Sequence, residues 1–232
     1  MSLPRLPFVI VSTYCVSSAF ARPNPPVNTS DRVKGPLYER ILPALPAVIG
    51  TTPWIPCIAE SIIALATNFP PPFISELFDT LLPTGQLPSF NPDRYVFAGA
   101  ALAALGSFVR IWAIRTLGRH FTLELSVMKQ HKLITGGPYA FVRHPSYIGA
   151  AIAGTGLAIL HASPGSFLRV SGWLKLWTGR GLAAVWAVAF FAGIGMVFAR
   201  TVREDTYLKA HFGNEWDQYA RRVRYRLLPG IF

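Results

Sequence analysis

The sequence predicts an all-α, multi-pass transmembrane helical bundle of about five spans, and three observations carry that prediction. Of 232 residues, 51% are hydrophobic and only 14% are charged, whereas soluble domains carry about a quarter charged residues. Five mainly apolar segments recur, each near the ~20 residues a helix needs to cross a bilayer. Of the 22 Lys and Arg, all but Arg110 lie between these apolar runs rather than within them. The net charge of +11 comes without zinc-finger, RNP or basic-zipper spacing, so the expected partners are anionic membrane lipids and not nucleic acid.

Residues 6–21 form the first apolar segment. One Arg, a short apolar run and Ala19-Phe20-Ala21 also fit a secretory signal with a small-residue cleavage site, so span and signal both stand. The second, 44–67, contains Pro46, Pro53, Pro56 and Glu60 and is expected to be kinked or partly re-entrant. Arg110 lies in the third, 95–114, and must face protein, water or the interface. Glu60 and Arg110 fit either a buried structural pairing or a substrate pathway. Segment 146–163 is the fourth. The fifth, 181–199, has neither charge nor proline, and Trp186, Phe190, Phe191, Met196 and Phe198 give it bulk.

Between the spans, 22–40 reads as a Pro-rich linker and 67–94 as a second loop. A division follows into N-terminal spans and loops, 1–94, and a core, 95–232. Loops 22–40 and 115–145 and the tail from 200 carry +2, +4 and +3, against −2 for 68–94. Five spans place the three basic segments on one side, cytosolic by the positive-inside tendency, although Arg169, Lys175 and Arg180 oppose it from the other. Cys15 and Cys57 lie in apolar stretches, far from any His or acidic cluster.

Two polar segments flank the last two spans and so return to the same membrane face. In the first, Thr135-Gly136-Gly137-Pro138 is a turn, since glycine permits positive φ and proline presets the next bend. Pro145 is suited to the first helical position, which puts His144 at the cap of the fourth span. The N–H groups of Ser146, Tyr147 and Ile148 would then form an anion site. A plain interfacial anchor built from Arg143, His144 and the tyrosines explains the same residues. In the second segment, Arg200 and Glu204 share a helix face, with Asp205 beside them. An i,i+4 ion pair is the simple explanation, but Arg before Glu is the weaker order. Beyond Gly213, Asn214 is expected to cap a short helix with a Trp216, Tyr219, Val223 stripe. Arg221, Arg222, Arg224 and Arg226 would face lipid headgroups and hold the tail flat on the membrane.

No Gly-x-Gly-x-x-Gly follows a strand, and neither a P-loop nor a Gly-x-Ser-x-Gly elbow occurs. The five histidines lack helical metal spacing, so no metal site is expected. The strings Leu133-Ile134-Thr135-Gly136-Gly137-Pro138-Tyr139, Arg143-His144-Pro145-Ser146-Tyr147-Ile148-Gly149 and Arg200-x-x-x-Glu204-Asp205-x-x-Leu208 closely resemble, in order and spacing, the isoprenylcysteine carboxyl methyltransferase family. The similarity runs from about Leu117 to Phe232 and includes His211 to Trp216 and Tyr219. The resemblance implies that S-adenosyl-L-methionine is held by His131, Lys132, Leu133 and Ile134, then Tyr139, then His144, Pro145, Ser146 and Tyr147, with Glu204. It implies that Arg200 faces the carboxylate of a prenylated cysteine, on a free prenylcysteine or a protein C-terminus, in the endoplasmic reticulum membrane. Two features depart from the family pattern. Glu204-Asp205 stands where two glutamates are frequent, and Ser126 is only a candidate for an upstream cofactor contact. Phospholipid N-methyltransferases share the superfamily and are the alternative enzyme; a non-catalytic lipid- or partner-binding protein is the alternative of another class.

Overall fold

A computed structural model describes residues 3–27, 37–69, 92–124, 126 and 132–230. Among the described residues the α-helices are α1 (Leu6–Phe20), α2 (Leu37–Ile41), α3 (Leu45–Thr51), α4 (Trp54–Asn68), α5 (Arg94–Leu117), α6 (Pro145–Ala162), α7 (Phe167–Val170), α8 (Trp177–Phe212) and α9 (Asn214–Arg222). Among the described residues, five stretches are long and apolar enough to cross a membrane: Leu3–Phe20, Leu45–Asn68, Arg94–His120, Pro145–Val170 and Trp177–Phe212. The expected kink falls between α3 and α4, where Pro53 can neither donate an N–H nor continue a regular turn. Most of the second loop, 70–91, lies outside the described residues.

Helices α5 and α6 form the spine, and small residues let their backbones touch. A Cβ on Gly99 would stand 2.7 Å from the Gly156 carbonyl oxygen, and one on Gly149 would stand 2.7 Å from the Arg110 nitrogen. Close approach of this kind supplies van der Waals contact where lipid removes the usual hydrophobic drive between helices. Across this spine lies α1, whose Val16, Ala19 and Phe20 share a core with Ala103, Ala153 and Leu157. Packing therefore runs continuously between the N-terminal spans and the rest of the chain.

Buried arginines pin this core at both ends. At one end Arg5 donates from Nε to Glu60 Oε1 (2.6 Å), from Nη1 to Ser163 Oγ (2.9 Å) and from Nη2 to the Leu160 carbonyl (2.9 Å). The other Glu60 oxygen accepts the Phe167 N–H at 3.1 Å. Glu60 is thus a structural partner that ties α1, α4, α6 and α7 together. At the opposite end Arg110 donates to the Ala19 carbonyl (2.9 Å) and to the Ser146 carbonyl and hydroxyl (3.1 and 2.9 Å), beneath the Phe20 ring. Both membrane charges weighed from the sequence take the structural role, and Arg110 also borders the site described below.

The fifth span stands off from this core. Helix α8 runs 36 residues, about 54 Å at 1.5 Å per residue, and none of residues 180–199 is buried. The resulting gap between α6 and α8 becomes the cavity. The start of the segment after α1, expected to be a linker, is tied to the chain beyond α5. Asn24 donates to the carbonyls of Gly118 (2.9 Å) and Phe121 (2.8 Å), and Arg22 pairs with Glu124 at 3.1 Å.

Candidate functional site

The two polar segments meet at one end of the bundle, because α6 carries the chain away from that end and α8 brings it back. The fourth span starts at Pro145 with His144 at its cap, as the sequence predicts. The expected anion site does not form as described, however. The His144 carbonyl turns inward and accepts the N–H groups of Tyr147 (3.1 Å) and Ile148 (3.5 Å). One carbonyl thus takes up two of the three N–H groups that the site would have offered a ligand.

Asp205 organises the junction. Its carboxylate accepts hydrogen bonds from Arg143 Nη1 (2.7 Å) and Arg226 Nε (2.7 Å), and its other oxygen lies 2.8 Å from His144 Nε2. Since an ionised carboxylate only accepts, the last contact takes the Nε2–H form of the imidazole. Alongside, the N–H groups of Arg143 and His144 donate to the carbonyls of Tyr225 and Arg226, and Arg143 Nη2 donates to that of Arg224. The tail is therefore laced onto the cap loop. Of the four arginines expected to face headgroups, Arg226 turns inward as a partner of Asp205, while Arg221, Arg222 and Arg224 are exposed.

The aromatic stripe of α9 packs on protein rather than lying on the membrane. Trp216, Tyr219 and Val223 are buried against Leu133, Leu208 and Phe212, and the Tyr219 hydroxyl donates to the Tyr139 carbonyl at 2.9 Å. Gly213, at φ +53°, takes the cap position expected for Asn214, and so redirects the chain out of α8. Burial raises the pKa values of the Tyr139 and Tyr219 hydroxyls, the Glu204 charge adding to the effect at Tyr139. Both stay protonated donors at neutral pH. Burial lowers that of Arg143, an effect the Asp205 charge opposes.

Between this junction and the membrane portion of α8 lies a cavity of about 330 Å³. Its polar end is lined by Lys132, Leu133, Ile134, Tyr139, His144, Ser146, Tyr147, Arg200 and Glu204. These are the residues singled out from the sequence, with two exceptions. Pro145 starts α6 without lining the cavity, and His131 lies outside the described residues. Ser146 contributes through Arg110, which holds its hydroxyl. Ser126 also borders the cavity, its hydroxyl donating to Thr122 Oγ1 at 3.3 Å. The apolar end extends down between α6 and α8, past Gly154 and Leu157 on one wall and Trp186 and Phe190 on the other.

Where the two ends join, Tyr147 stacks on His144 and donates to Glu204 Oε2 at 2.7 Å. Glu204 is 29% exposed into the cavity, whereas Arg200 is 5% exposed. Carboxylates approach Arg200 without closing on it: Glu204 Oε2 is 4.0 Å from Nε and Glu39 Oε2 is 3.7 Å from Nη1. Its Nε is buried with no hydrogen-bond partner. Sequence reading missed Glu39 and Tyr207. Tyr207, three residues past Glu204, was detectable by helical spacing, but nothing in the Pro-rich loop marks Glu39.

The amino-acid sequence is similar to several known proteins. A protein-S-isoprenylcysteine O-methyltransferase B of Arabidopsis thaliana is 33% identical over 128 residues, 54% of this chain and 55% of that protein. The protein-S-isoprenylcysteine O-methyltransferase of Schizosaccharomyces pombe is 33% identical over 144 residues, 60% of this chain and 53% of that protein. The chain thus spans about half the length of the curated relatives it matches. A Delta(14)-sterol reductase of Gibberella zeae is 29% identical over 117 residues, 44% of this chain and 24% of that protein. No solved structure matches. Residues 99–178, which supply the α5–α6 spine and the cap loop, match the model of the isoprenylcysteine carboxyl methyltransferase (ICMT) family, the same family that the motifs resemble.

Proposed function

We propose that this protein is a membrane-embedded methyltransferase that transfers a methyl group from S-adenosyl-L-methionine to the C-terminal carboxylate of a prenylated cysteine. The observation that carries the reading is Arg200, a buried cation with an unbonded Nε, set at the junction of the polar and apolar parts of one cavity. Such a cavity suits an amphipathic anion whose charged end stops at the arginine and whose chain continues toward lipid. The names of the relatives support the same acceptor.

The polar end fits the methyl donor. A nucleoside needs apolar and aromatic faces together with a carboxylate that can accept from hydroxyls. Leu133, Ile134, Tyr139, His144 and Tyr147 supply the faces, and the partly exposed Glu204 supplies the acceptor. Lys132 lines the same end and suits the donor's carboxylate. When bound, the cofactor supplies a methyl group activated by its sulfonium charge.

The chain's own residues have a limited chemical task. The acceptor α-carboxylate, with a pKa of about 3.5, is already ionised at neutral pH, so no general base is required. Arg200 orients it through a charge-assisted contact that its planar fork makes directional. Tyr147 donates to Glu204 Oε2, the oxygen 4.0 Å from Arg200 Nε, and so fixes that carboxylate beside the guanidinium. The surrounding burial strips the water that would otherwise solvate the nucleophile. The gap between α6 and α8 admits the prenyl chain sideways from lipid, and the basic loops admit the cofactor from the cytosol. The endoplasmic reticulum membrane is the proposed location.

The test is methyl transfer from labelled S-adenosyl-L-methionine to N-acetyl-S-farnesylcysteine by purified protein, with phosphatidylethanolamine as a competing acceptor. Base-labile label on the prenylcysteine is the expected result. Label on phospholipid alone would move the chain to the N-methyltransferase branch, even though Arg200 repels an ammonium. Absence of both label and cofactor binding would leave a non-catalytic lipid-binding protein.

A further inference from the structure

Glu39 sits on the short helix α2, in a loop with no motif, yet its side chain is 6% exposed and lies behind Arg200 without itself lining the cavity. One oxygen accepts a hydrogen bond from Arg203 Nη1 at 3.2 Å. The other, Oε2, is buried without a hydrogen-bond partner and faces Arg200 Nη1 across 3.7 Å. Arg200 Nε is also buried and unbonded. Two opposite charges thus leave polar atoms unmatched beside each other. Buried groups normally close such a gap, since an unmade bond is costly. Arg203, one helical turn from Arg200, anchors the acid from outside the cavity, so its orientation does not depend on Arg200.

We propose that Glu39 competes with the acceptor carboxylate for Arg200, and so sets how tightly the protein binds a prenylcysteine acid. This rests on the reading of Arg200 as the carboxylate-binding residue. In the resting protein Glu39 balances the Arg200 charge loosely. An entering carboxylate brings a third anion beside Glu39 and Glu204, and the cost of that crowding appears in acceptor affinity. Glu39 acts through Arg200 and is a positioning residue. A neutral acceptor analogue, the prenylcysteine methyl ester, carries no such charge and does not sense it.

The experiment compares wild type, Glu39→Gln, Arg200→Ala and Arg200→Ala/Glu39→Gln protein in detergent, measuring the KM for N-acetyl-S-farnesylcysteine and the inhibition constant of its methyl ester. Glutamine keeps the shape and the Arg203 contact while removing the charge. The expected result is a KM lowered about three- to tenfold in Glu39→Gln, an ester inhibition constant that stays put, and no gain in the Arg200→Ala background. An unchanged or raised KM, an equal shift in the ester, or a gain that persists without Arg200 would overturn the proposal while leaving carboxyl methylation standing. Failure of wild type to methylate the prenylcysteine would overturn both readings. If Glu39→Gln is poorly folded, Glu39→Asp is the second variant. Its shorter arm withdraws the charge from Arg200, and KM should fall in the same direction.

Discussion

Two arginines, Arg5 and Arg200, are almost equally buried and serve opposite purposes. Arg5, 0% exposed, spends its donors on Glu60, Ser163 and the Leu160 carbonyl at 2.6–2.9 Å. Arg200, 5% exposed, has its carboxylates at 3.7 and 4.0 Å and an unbonded Nε. Burial of charge alone therefore does not distinguish scaffold from site. Completeness of bonding separates these two, because a guanidinium whose three nitrogens all donate has less left for a ligand than one with a buried, unbonded Nε.

The sharpest way to break this contrast is at the saturated end. Glu60→Ala should leave Arg5 buried without its counter-charge and destabilise the bundle by about 3–5 kcal/mol, read as thermal unfolding in detergent. The paired change Arg5→Met with Glu60→Leu should recover most of that loss, since apolar packing replaces a buried pair well. Arg200→Ala should instead lower kcat/KM for the prenylcysteine by on the order of a hundredfold, with thermal stability and cofactor affinity within about twofold of wild type. A loss of stability as large as that of Glu60→Ala would make Arg200 a scaffold residue after all. Glu204→Ala should weaken cofactor binding about tenfold, a cost near 1.4 kcal/mol, and calorimetric titration with S-adenosyl-L-methionine would show it. At the small end, Lys209 and Asp217 pair at 3.0 Å with side chains 61% and 38% exposed. Lys209→Ala should shift stability by under about 1 kcal/mol, and a larger shift would mean that the α8–α9 corner carries load of its own.

The start of the fourth span was legible because Pro145 constrains its own φ and the conformation of His144, a local effect that needs no tertiary information. The Arg200–Glu204 face was legible for the same reason, since helical spacing follows from the backbone. The anion site at the α6 cap was not, because whether a free N–H finds an acceptor depends on where the His144 carbonyl turns. Arg226 was read as a lipid contact and Asp205 as half of an acidic pair. Their bond joins residues 21 apart across a corner set by Gly213, and no local pattern records it.

By itself, the sequence determined the apolar spans, a break within the proline-bearing second span, the cap at His144 and the motifs that group Arg200 with Glu204. Each follows from residue type and spacing over a few turns. Only the tertiary structure decided which charges are satisfied: Arg5 by Glu60 and Ser163, Asp205 by three partners from two segments, and Arg200 by none within hydrogen-bond distance at Nε. The physical reason is range. Backbone preference acts over neighbouring residues, whereas the cost of an unmatched buried charge depends on groups brought together from distant parts of the chain, Glu39 and Arg200 among them.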